Sequence, residues 1–155
     1  MGRQIPGRRA GFVRVTLRAA LVAGTAGGLP STTWTLARQQ DVLASTRAAG
    51  TLLVPATAAA SRQLAAGAVA HAVLSTGWAA VLVAGLPRRG TVVAGAVAGL
   101  AIGALDLRLA RRLAPAIAEL PRGPQLADHA AFGALVGLVR AISEARPGEA
   151  QPSAG

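Results

Sequence analysis

Leu64 to Leu86, LAAGAVAHAVLSTGWAAVLVAGL, is a run of twenty-three residues without Asp, Glu, Lys or Arg. A helix needs about 20 apolar residues to cross the hydrocarbon of a bilayer, and a helix that is apolar all round must be buried in lipid or in a large core. A chain of 155 residues has no such core to offer. A second run follows at once: after Pro87-Arg88-Arg89-Gly90 the chain stays uncharged from Thr91 to Leu105, then meets Asp106 and the exit arginines Arg108, Arg111 and Arg112. A turn this short predicts an antiparallel return.

Two weaker runs flank this hairpin. Gly11 to Leu29, GFVRVTLRAALVAGTAGGL, is predicted to be a first span that stops at Leu29-Pro30-Ser31. Arg14 and Arg18 lie four apart on one face and can snorkel to the headgroups. A basic start before an apolar stretch also resembles a secretory signal, and Arg8-Arg9 with Phe12 is similar to a twin-arginine one, but the arginines inside the apolar stretch favour an uncleaved span. Gln125 to Ile142 is the fourth span, with Asp128 and His129 near its start and Arg140 near its end.

Between the first two spans, Ala48 to Ala60 is moderately apolar, bounded by Arg47 and Arg62 and broken by Pro55. It is too short to cross and reads as an interfacial or re-entrant helix, with Trp34 at headgroup level. The fold class predicted is therefore all-α: a polytopic transmembrane four-helix bundle, one domain over residues 1–142 with spans at about 11–29, 64–86, 91–110 and 125–142. The tail 143–155 is predicted to be disordered. With the N-terminus inside, the arginines divide nine inside to seven outside, which favours a cytoplasmic N-terminus in the cell membrane. Were Ala48–Ala60 to cross, the division would be ten to six.

Composition supports the membrane and narrows the chemistry. Hydrophobic residues make up 52% and charged residues 14%, with a mean hydropathy of +0.47. The net charge of +10 would suit nucleic acid, but all sixteen basic residues are Arg, as a GC-rich genome would bias them, and most lie between apolar runs. With two Trp, two Phe and no Tyr there is no platform on which bases could stack, so no nucleic-acid partner is expected. The absence of cysteine excludes disulfides, thiolate metal sites and thiol nucleophiles. No HExxH, GxSxG, phosphate-cradling loop or dinucleotide fingerprint occurs, so neither an enzyme nor a cofactor is expected.

Helices in lipid associate where small residues let backbones approach. Gly95, Gly99 and Gly103 form a ridge on the third span, Gly133 and Gly137 a GxxxG pair on the fourth, and Gly24 with Gly28 a pair on the first. Val22-Ala23-Gly24 before Gly28-Leu29 is matched by Val93-Ala94-Gly95 before Gly99-Leu100, and a His-Ala pair follows in each next helix, at His71 and His129. Two related hairpins or the coincidences of an Ala/Gly-rich chain both explain it.

Few polar groups lie at membrane depth. His71 shares a helix face with Gly67, Ser75 and Trp78, from which a neutral imidazole could donate to a neighbouring carbonyl or join a proton relay. Asp106 is expected to pair with an arginine such as Arg108, and Asp128-His129 to sit near the N-terminus of its own helix, where the macrodipole favours a carboxylate. In an antiparallel hairpin Asp106, Asp128 and His129 would converge near one membrane face, and these with His71 are the candidate polar site.

Three stretches, Gly28-Leu29-Pro30-Ser31-Thr32-Thr33-Trp34, Ala48-Ala49-Gly50-Thr51-Leu52-Leu53 and Gly123 to Gly133 (GPQLADHAAFG), resemble those of a family of small four-span membrane proteins from GC-rich bacteria. The resemblance covers roughly residues 10–142, implies four spans, and brings no activity or functional residue with it. The leading functional expectation is a structural or accessory membrane protein that packs through its glycine ridges, as a homo-oligomer or with another membrane protein. The competing one is a small transporter or proton-linked permease using His71, Asp106, Asp128 and His129.

Overall fold

The computed structural model describes residues 6–145, which are all-helical and contain no strand. The helices are α1 (Pro6–Ala26), α2 (Leu29–Ala37), α3 (Ala44–Gly50), α4 (Ala60–Gly85), α5 (Thr91–Leu113), α6 (Pro115–Ala118) and α7 (Arg122–Ala145). Four stretches are long and apolar enough to cross a membrane: Arg9–Ala37, Ala60–Gly85, Thr91–Ala110 and Arg122–Ala145. The last helix organises the rest, since α7 packs against α1, α2, α4 and α5. Although α4 and α5 are joined by a tight turn, α5 lies mainly along α7. Gly90 makes that turn at φ 64°, a left-handed conformation that a side chain resists.

The α5–α7 contact is made by backbone. A Cβ on Gly95 would overlap the Gly133 carbonyl, one on Gly99 the His129 carbonyl, and one on Gly133 the Gly95 carbonyl. At one end Gly137 lies against the Thr91 carbonyl, and at the other Gly103 meets the His129 side chain, where a Cβ would come within 2.9 Å of the ring. A second glycine crossing joins α3 to α4: Gly50 lies against the Gln63 carbonyl and Gly67 against the Thr46 carbonyl. Those two contacts make α3 antiparallel to the first turns of α4.

The burial pattern is the reverse of a soluble domain's. Ala19, Ala23, Ala79 and Val136 are fully buried, and Ala20, Leu82, Val83, Leu86, Ile102 and Val139 complete the core. Meanwhile Leu21, Val73, Val93 and Val97 are 62–71% exposed. Small residues inside and branched aliphatics outside suit a bundle whose solvent is hydrocarbon; in water, so large an apolar surface would drive aggregation.

Several details depart from the sequence reading. Leu29-Pro30-Ser31 is not a stop: the chain bends at Gly27-Gly28 and resumes as α2, with Pro30 in its first turn, where a missing N–H is harmless. Gly28 accordingly has open space around it and does not pack with Gly24; Gly27 does the packing, against Phe132. Ala48–Ala60 is not one helix, because α3 ends at Gly50 and turns occupy 51–58. The start of α3 is instead tied down by Asp41, which accepts from the Leu43 N–H at 2.8 Å and from the Arg47 guanidinium. The Arg47 hydrogen bond holds the Asp41 carboxyl below the usual carboxylate range. Ser143 to Ala145, placed in a disordered tail, are the last turn of α7; the remainder of that tail, 146–155, lies outside the described residues.

Two Gly→Ala substitutions in helix interiors separate packing from propensity. Gly77→Ala, into open space, should leave thermal stability in detergent unchanged or raise it by up to about 1 kcal/mol. Gly99→Ala, gaining the same propensity but colliding with a carbonyl, should lower it by about 1–3 kcal/mol in the same melting experiment.

Candidate functional site

Polar contacts form a band that joins the four long apolar stretches, Arg9–Ala37 through backbone groups and the other three through side chains. On one side, the break after α1 leaves carbonyls at its C-terminal end in need of donors. The Gly27 N–H bonds the Ala23 carbonyl at 2.8 Å, and the next carbonyl, that of Gly24, faces His71 Nε2 of α4 at 2.7 Å. A carbonyl only accepts, so His71 donates from Nε2 in that contact. The small side chain of Ser75, one turn further along α4, allows the approach; a Cβ on Gly24 would stand 3.3 Å from its hydroxyl.

The break also explains Asp128. The residue before α2 is Gly28, which has no side chain to cap the helix, and Pro30 has no N–H. The Ser31 N–H donates instead to Asp128 Oδ1 of α7 at 2.8 Å. An anion from another helix thus caps α2 and faces the positive end of its dipole. Asp128 therefore does not serve its own helix, where it lies beyond the first turn.

His129 turns the other way. Its Nδ1 meets the Gln125 carbonyl one turn back at 2.8 Å, and its Nε2 lies 3.4 Å from Asp106 Oδ2 of α5. Asp106 is thus paired with an imidazole, where the sequence pointed to an arginine. Both ring nitrogens face acceptors, so the pair is satisfied only when it carries one proton more than a neutral ring and a carboxylate: an imidazolium beside a carboxylate, or a neutral ring beside a protonated acid. Either form is neutral overall, which suits a site with side chains about 28–29% exposed beside apolar helices.

Asp106 and His129 come together and Asp128 adjoins His129 in the chain, but the hydrogen bond of Asp128 goes to α2 and not to that pair. Successive residues on a helix diverge by about 100°, so Asp128 faces α2 while its neighbour His129 faces α5. Among the described residues no three His, Asp or Glu side chains come together as a metal site requires. Asp128 remains within electrostatic reach of both His129 and His71.

Two clefts lie elsewhere. One of about 300 Å³ opens between α3 and α6, lined by residues including Arg47, Thr51, Gln63 and Glu119. The other, about 180 Å³, lies beside the α4–α5 turn and is lined by Phe12, Val15, Val83, Arg140 and Glu144 among others. There Arg140 Nε donates to Glu144 Oε1 at 3.0 Å, and its Nη1 donates to the Leu86 carbonyl at the end of α4. This cap on a carbonyl end was not read from the sequence, although the Arg140/Glu144 spacing of four signals the ion pair. Ser31 and the Gly50–Gly67 crossing were also missed, for they acquire their roles only from partners distant in the chain, and Gln125 was missed although His129, the partner of its carbonyl, lies one turn on.

No family model, curated protein or solved structure matches this chain.

If the band is a set of separate helix-to-helix ties, His71→Ala should cost about 0.6–1.7 kcal/mol in detergent unfolding, the range for hydrogen bonds between membrane helices. In double-mutant cycles Asp106→Ala should couple to His129→Ala and add to His71→Ala within about 0.5 kcal/mol. Equal coupling of all three would mean one connected network instead.

Proposed function

We propose that this chain is a multi-pass integral membrane protein of structural or accessory role: a glycine-packed bundle that acts as a rigid unit and turns over no substrate. The observation that carries the proposal is the way the intramembrane polar groups are used. His71 goes to the Gly24 carbonyl, Asp128 to the Ser31 N–H, and His129 to Asp106 and the Gln125 carbonyl. In a transporter such groups line a wet path and change partners; here each closes a contact between helix segments or satisfies a local carbonyl. The clefts described above are lined by other residues. In this proposal the N-terminus is cytoplasmic, α3 is a re-entrant or interfacial element beside α4, and the outward face of α5 meets lipid or a second membrane protein.

One observation favours the competing reading of a proton-linked permease: His71, Asp128, His129 and Asp106 succeed one another across the bundle, and titratable groups in series are what a relay uses. Proton flux separates the two. Proteoliposomes containing the purified chain should hold an imposed pH gradient as long as protein-free vesicles. A leak that disappears in Asp128→Asn or His71→Ala would overturn the structural role and establish the permease.

A further inference from the structure

Arg14 and Arg18 of α1 are two charges that nothing among the described residues answers. Both are exposed and, among the described residues, neither has a hydrogen bond, ion pair or ring contact. They lie one turn apart on one helix face. Around them Val13, Leu17 and Leu21 are 51%, 56% and 68% exposed, so the charges stand on an apolar outer surface.

Their depth follows from the antiparallel contact between α1 and α4. Gly24 lies against Ser75 and His71, and one cleft joins Phe12 and Val15 to Val83. Counting along both helices from these contacts puts Arg14 level with the last turn of α4, and Arg18 about one turn further in. Arg88 and Arg89 differ: they belong to the α4–α5 turn, beyond the helix ends.

A guanidinium cannot shed its proton, and among acyl chains it must find an anion or extend its stem toward the interface. One turn inside the edge of a bundle, the group within reach is the lipid phosphodiester, whose oxygens match the planar fork of arginine. Two guanidiniums on one zwitterionic headgroup leave both positive charges uncompensated, whereas a headgroup of net charge −1 offsets one of them. We infer that the Arg14/Arg18 face of α1 binds an anionic phospholipid, the guanidiniums holding its phosphate while Leu17 and Leu21 line its acyl chain. This rests on the membrane assignment proposed above.

The test uses the full chain in nanodiscs of phosphatidylglycerol mixed with phosphatidylcholine, with lipids retained after release counted by native mass spectrometry. Wild type should keep phosphatidylglycerol preferentially. R14Q/R18Q should lose that preference by roughly tenfold to thirtyfold, as expected for two basic groups near an anionic surface, and R14K/R18K should lose part of it. R88Q/R89Q, which removes the same charge from the turn, should lose clearly less. Equal losses in R14Q/R18Q and R88Q/R89Q, or no preference in wild type, would overturn the inference. So would loss of a dimer together with the lipid, which would make a second copy the partner. Should R14Q/R18Q lose its helical circular dichroism, R14K/R18K decides: a preference equal to wild type overturns the phosphate fork, and an intermediate one supports it. Failure to recover the wild-type chain from washed membranes would instead remove the membrane assignment itself.

Discussion

The bundle depends on backbone touching backbone between α5 and α7. In hydrocarbon, leucine against leucine is no better than leucine against lipid, so association must come from dense contact that lipid cannot supply. Gly95, Gly99 and Gly133 provide it by leaving the facing carbonyls room to approach. Because α7 also packs on α1, α2 and α4, the seam holds α5 to the rest of the fold. It also frees the branched side chains of α5, such as Val93 and Val97, to face outward. The small-inside, large-outside arrangement is thus a consequence of the seam as much as of composition.

Close packing of this kind fixes the separation of α5 and α7 and demands that their glycine faces meet; the polar groups add constraints on how α1, α2 and α4 sit around α7. Asp128 and His129 are adjacent in the chain, yet one reaches the first turn of α2 and the other reaches α5. A rotation of α7 by one residue would turn one of them into the other's present direction and take both off their partners. The bend at Gly27-Gly28 makes a similar demand, since it opens the end of α1 and the start of α2 together. His71 meets the first need from α4 and Asp128 the second from α7. An unsatisfied group costs more in lipid than in water, so in a membrane these few contacts would reinforce the arrangement that the glycine packing sets.

The helical class and the four long apolar helices were legible in the sequence because hydropathy and the period of a helix are local properties. The four-residue spacing of Gly95, Gly99 and Gly103 likewise puts them on one face, but which helix that face meets is a tertiary matter. The bend was not legible: Leu29-Pro30-Ser31 carries the same signal whether it ends a helix or begins one. The use of Asp128 could not be read for the same reason, since a trans cap exists only once α2 does. Asp106 was matched by charge to a nearby arginine, while the fold offered an imidazole across the α5–α7 seam. The α3–α4 crossing joins Gly50 to Gln63 and Gly67 to Thr46, and no local pattern links those positions.

In the arrangement proposed above, four stretches cross a membrane, with the α4–α5 turn on one side and the α2–α4 and α5–α7 connections on the other. The chain contains no cysteine, so single cysteines at Arg89, Gln39, Thr57 and Glu119 can be labelled without background in sealed membrane vesicles using an impermeant maleimide. Positions 39, 57 and 119 should label together from one side, and position 89 only from the other. Labelling of position 57 on the side opposite to 39, or of all four positions in vesicles of either orientation, would contradict the four-crossing arrangement.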